Sequence, residues 1–63
     1  MINDNLKRLR EEKGISKLEL ARRTSLSARI IEFIEHGKVM NPRLSTMQSI
    51  ATALDVSIEE LTK

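Results

Sequence analysis

Apolar residues recur at three- and four-residue spacings and nowhere alternate with polar ones, so the pattern is helical throughout. Leu6 and Leu9 line one face of a first helix from Asn3 or Asp4 to Lys13, and Gly14 supplies a left-handed stop. A second helix follows Ser16, buries Leu20 and Ala21, and ends near Arg23. The stretch SLSARIIEFIEHG, residues 25–37, predicts a third, capped by Ser27 and stopped by Gly37. Beyond Asn41 and Pro42 a fourth begins at Leu44 or Ser45 and presents Met47, Ile50, Ala51 and Leu54 at helical spacing. A fifth, of one or two turns, starts at Ile58.

The helix starts are doubly marked. In a capping box, a Ser or Thr accepts from a free backbone N–H while Glu or Gln three residues later reaches back. Ser16 with Glu19 and Ser57 with Glu60 fit this pattern, and Ser45 with Gln48 fits it more weakly. Ile15 with Leu20, Leu26 with Ile31 and Val56 with Leu61 have the spacing of hydrophobic staples. The reading is an all-α, five-helix single domain over residues 1–63, with one longer loop, Gly37 to Arg43, and no internal repeat.

The junction between the second and third helices carries the functional signal. Thr24, Ser25 and Leu26 leave so little chain before Ser27 that the two helices must cross steeply, with Leu20, Ala21, Leu26, Ile31 and Ile34 inside the corner. That is helix-turn-helix geometry, whose second helix stands out from the body and can enter a DNA major groove. At ~100° per residue, Ile31 and Ile34 share a face, flanked by Ile30 and Glu35, and Ile30 reads as half-buried. Ala28, Arg29, Glu32, Phe33 and His36 spread over the other side, so the chain's one aromatic falls outside the apolar arc.

The chain resembles the lambda-repressor and Cro-like helix-turn-helix domains of phage and bacterial transcriptional regulators. LKRLREEKGIS, LELARRTSLS, the spaced Ile31, Ile34, Glu35 and Gly37, and NPRLSTMQSIATALDVSIEEL carry the resemblance, which runs from about Leu6 to Leu61. It implies an ion pair between Arg10 and Glu35 that ties the first helix to the third. Lys17 falls where the family typically has a glutamine on a phosphate; a lysine binds phosphate as a point charge rather than as a directional amide. The resemblance places Ser27, Ala28, Arg29, Glu32 and Phe33 at base-reading positions, and Lys38 and Arg43 in the following loop near the DNA backbone. The chain departs from the family's usual glycines at Ser25 and Asp55. A serine held in the left-handed region there costs roughly 1 kcal/mol or forces a different turn, whereas Asp tolerates that region better.

Side-chain chemistry assigns roles on that outer face. Arg29 can donate two hydrogen bonds to guanine O6 and N7, Glu32 can accept from cytosine N4 while repelling phosphate, and Phe33 can pack on a thymine methyl. The competing reading of Phe33 is that it folds over the Gly37–Arg43 loop and covers part of the core.

Charge supports a polyanionic partner by its distribution rather than its total. The net charge is +2, but residues 1–43 hold ten basic against six acidic side chains, while residues 44–63 hold one against three. With no cysteine there is neither a disulfide framework nor a thiolate metal site, and one histidine makes no metal site alone. No glycine-rich phosphate loop and no nucleophile–base spacing point to an enzyme, and no cofactor or small-molecule ligand is indicated. No apolar run approaches the ~20 residues that span a bilayer, the first 13 residues are too charged for a signal peptide, and a cytoplasmic location is the expectation.

Two functions follow. One is a sequence-specific regulator, expected to be a repressor, that binds double-stranded DNA as a homodimer on two operator half-sites. Val56, Ile58 and Leu61 are candidate dimer contacts, although Val56 and Leu61 are also committed to a staple; a C-terminal domain outside these residues is an equally open source of the dimer. The other is a protein-interaction module on the same scaffold, antitoxin-like or co-regulatory, that uses Ile30, Phe33 and Glu32.

Overall fold

A computed structural model describes residues 2–39 and 41–63; Met1 and Met40 lie outside the described residues. Five helices follow in order, α1 (Ile2–Glu12), α2 (Lys17–Thr24), α3 (Ala28–Glu35), α4 (Leu44–Leu54) and α5 (Ile58–Thr62), with no strand among the described residues. The first helix begins one or two residues earlier than Asn3 or Asp4, with Ile2 buried on the Leu6 and Leu9 face, and ends at Glu12, one residue short of Lys13. The second runs one residue past Arg23 to the buried Thr24.

Helix α1 packs on α3 and α5, α2 on α3 and α4, and α4 on α5. Every helix sends at least one fully buried side chain to the shared core: Leu6, Leu20, Ile31, Ile34, Ile50, Leu54 and Leu61. Each such burial stabilises by about 1.5–3 kcal/mol. Ile15, Leu26, Val56 and Ile58 pack half-buried against this cluster, so each staple joins one of its members to a flanking residue. Leu61 is therefore unavailable as a dimer contact, while Val56 and Ile58 keep part of their surface open.

Three helices end in one motif, in which the N–H five residues on donates to a carbonyl and the preceding N–H closes a shorter loop inside it. The longer bonds are Ile15 to Arg10 (3.0 Å), Lys38 to Phe33 (2.8 Å) and Val56 to Ala51 (3.0 Å). The left-handed residues that permit it are Gly14, Gly37 and Asp55. At their starts, Ser16, Ser27 and Ser57 accept from the backbone N–H three residues on. The reciprocal half of the Ser16 box is replaced by pairing of Glu19 with Arg23 at 3.0 Å. The expected Ser45–Gln48 box does not form. Arg43, in the extended conformation, takes the N-cap position without a side-chain cap, and Ser45 is already inside α4.

Candidate nucleic-acid interface

Three residues, Ser25 to Ser27, join α2 to α3. Ser25 keeps the left-handed turn at φ 63° rather than adopting another. The buried Thr24 holds it there: its hydroxyl donates to the Leu20 carbonyl at 2.8 Å and accepts from the Leu26 N–H at 3.3 Å. This double use of Thr24 was not apparent in the sequence, where Thr read only as part of the turn. Ser27 then caps α3 through the Ile30 N–H at 3.1 Å.

At its other end α3 is anchored from below. Arg10 Nε donates to Glu35 Oε2 at 2.7 Å and Arg10 Nη2 to Oε1 at 3.2 Å, while Nη1 reaches the Ile15 carbonyl at 2.9 Å. The Glu35 side chain is 1% exposed and that of Arg10 11%. The hydrogen bonds to Glu35, opposed by burial and aided by that carboxylate's charge, hold the Arg10 guanidinium above its ordinary range. A carboxylate on the last residue of a helix opposes the helix dipole, so the arginine compensates both burial and dipole.

Between these anchors lies the outer face of α3. Lys17, the first residue of α2, bonds Glu32 at 3.1 Å, so two residues given separate roles on DNA satisfy each other in the free domain. The lysine's hydrogen bond first, and then its charge, hold the Glu32 carboxyl below its ordinary range, with smaller contributions from His36 and Arg29. His36, which the helical angle places on this side, is exposed one turn beyond Glu32; the sequence reading gave it no contact role.

Phe33 differs from expectation. It is half-buried rather than freely outward, yet it is not among the residues packed on the core. The Arg29 guanidinium and the Lys38 ammonium each stand 6.0 Å from its ring centroid. The cause is local: Arg29 lies one turn earlier on the helix, and the bond from Lys38 N–H to the Phe33 carbonyl brings Lys38 back to the same ring. Ala28, another of the positions assigned to base reading, is half-buried and packs in part against the core. Ile30 is 38% exposed, more open than the angular reading gave.

The structure therefore gathers Lys17, Arg29, Glu32, Phe33 and Lys38 into one strip beside the Ser27 cap. Arg43 stands apart at the start of α4, exposed and without a carboxylate partner among the described residues. No group of acidic, His or Cys side chains suited to a metal occurs among the described residues, and no described helix is long and apolar enough to cross a membrane.

The helix-turn-helix family profile matches residues 6–61, from the first core leucine of α1 to the core leucine of α5. The chain belongs to the lambda-repressor-like helix-turn-helix family. This helix-turn-helix domain is 33% identical over 61 residues to the HTH-type transcriptional regulator SinR of Bacillus subtilis, covering 97% of the chain and 55% of SinR. It is 36% identical over 61 residues to an uncharacterized HTH-type transcriptional regulator, y4dJ, of Sinorhizobium fredii, covering 97% and 78%. An uncharacterized HTH-type transcriptional regulator of Coxiella burnetii is 38% identical over 60 residues, covering 95% of the domain and 28% of that protein. The domain thus spans about half the length of SinR. No solved structure gives a significant match. The helix-turn-helix family is one of DNA-binding domains rather than enzymes.

Proposed function

We propose that this domain is a sequence-specific regulator of transcription that binds double-stranded DNA with the outer face of α3 in the major groove and acts as a repressor by occupying its operator. The observation that carries the reading is the strip itself. Arg29, on the second residue of a helix anchored at both ends, is open to solvent and restrained by the Phe33 ring, which suits a bidentate donor to guanine. Lys17, Lys38 and Arg43 supply cations for the flanking phosphates, and the Ser27 cap fixes the end of α3 that enters first. Repression needs nothing beyond this face, since occupancy alone excludes other proteins from the same DNA.

One short helix and a few cations give a monomer only weak, weakly selective binding, so two copies on half-sites about one helical turn apart make up the working unit. The alternative of a protein-interaction module is less well supported, because its aromatic is flanked by two cations and single exposed residues such as Ile30 are ordinary on a soluble surface. Selection of bound duplexes from a random pool tests the proposal. The expected result is a two-fold symmetric motif with a guanine in each half that Arg29→Ala no longer selects. Recovery of no enriched duplex at low salt would overturn it.

A further inference from the structure

The Lys17–Glu32 bridge is a contact that the DNA-binding reading does not require. It joins the first residue of α2 to the middle of α3, across the two helices that face the groove. Both side chains are partly open, at 35% and 47% exposure, so the pair is neither sealed in the core nor needed to satisfy a buried group. A carboxylate bonded to an ammonium imitates a phosphate oxygen in charge and geometry. A half-exposed pair of this kind is also weak enough to be exchanged for another anion. The bond is well formed, with the Lys17 ammonium 3.1 Å from Glu32 Oε1, and it holds the Glu32 carboxyl below its ordinary range.

Resting on the DNA-binding reading above, we propose that Glu32 is a built-in competitor for Lys17 and thereby sets the preference of the domain for its own site over bulk DNA. On an arbitrary duplex, freeing Lys17 for a phosphate leaves the Glu32 carboxylate unpaired beside a polyanion, so the lysine stays with Glu32 and contributes little. Where a cytosine amino group lies opposite, Glu32 gains a donor and releases Lys17 to the backbone. One residue pair then couples a base contact to a phosphate contact, which neither residue does alone.

The test compares the 63-residue chain with Glu32→Gln, Lys17→Gln and the double variant. Affinity is measured against salt for a random-sequence duplex and for a duplex selected by the parent. Thermal melting checks that each variant is folded. One phosphate contact changes log K by about 0.9 per tenfold change in salt, or roughly eightfold between 1 M and 0.1 M. Glu32→Gln is therefore expected to bind random DNA up to about eightfold more tightly at 0.1 M salt, with a salt slope steeper by about 0.9, and to lose preference for the selected site. The gain should vanish when Lys17 is also replaced. An equal gain with and without Lys17 would show a simple net-charge effect and overturn the competitor role, as would no gain at all. If the parent and every variant ignored all duplexes at low salt, the DNA-binding reading itself would fall, and the competitor with it.

Discussion

Replacing Arg10 by methionine removes the partner of a carboxylate that has no other side-chain partner among the described residues. Glu35 is 1% exposed, both of its oxygens bond Arg10, and it ends α3, where the helix dipole already opposes its charge. Breaking such a pair from one side costs about 3–5 kcal/mol. A 63-residue domain has roughly 3–9 kcal/mol in total at the usual stability per residue. At ~4–8 °C per kcal/mol, Arg10→Met should lower the melting temperature by at least about 12 °C and leave a large unfolded fraction at 37 °C. Urea unfolding followed by circular dichroism measures the difference. The double variant Arg10→Met with Glu35→Leu removes the buried charge as well, and should recover to within about 1 kcal/mol of the parent. A loss below 1 kcal/mol in Arg10→Met would refute the reasoning, because it would mean that Glu35 finds water or another donor.

Ser25→Gly relieves a side chain at φ 63° and should raise stability by about 1 kcal/mol, read as a gain of ~4–8 °C in melting temperature. Phe33→Ala should cost only about 1 kcal/mol in a urea titration, because the ring packs on Arg29 and Lys38 rather than on the core; a loss of 3–5 kcal/mol would mark it as a core residue. Glu32 should titrate below ordinary glutamates by NMR and move back up in Lys17→Gln. Because its folded-state pKa is depressed, the bridge stabilises the fold above the unfolded glutamate's pKa, and that contribution disappears as pH falls through the lowered value.

Helix ends were the most legible part of the sequence, because caps are local chemistry. Ser16, Ser27 and Ser57 accept the N–H three residues on whatever packs around them, and Gly14 and Gly37 take the left-handed conformation at the two stops assigned to them. The Ser45–Gln48 pattern misled because α4 starts at Leu44, the earlier of the two starts considered, which leaves Arg43 at the N-cap and Ser45 inside the helix. The buried face of α3 followed from angle alone, as Ile31 and Ile34 show. Its outer face did not. Angle places Phe33 outside the core, but only the turn after the helix returns Lys38 to its ring. Angle also places Ala28 on the outer side, but its partial packing against the core depends on how α3 crosses its neighbours. The Lys17–Glu32 bridge spans 15 residues and depends on the crossing of two helices, so no spacing rule reveals it.

We propose that the strip of Lys17, Arg29, Glu32, Phe33 and Lys38 is the surface that meets DNA. Titration of the isotope-labelled domain with a selected duplex, followed by backbone and side-chain chemical shifts, tests it most directly. The largest changes are expected at Lys17, from Ser27 to Phe33, and at Lys38 and Arg43, with α5 nearly unmoved. Changes centred instead on the cleft formed by Ile2, Val39, Met47 and Ile58, or none at low salt, would contradict it.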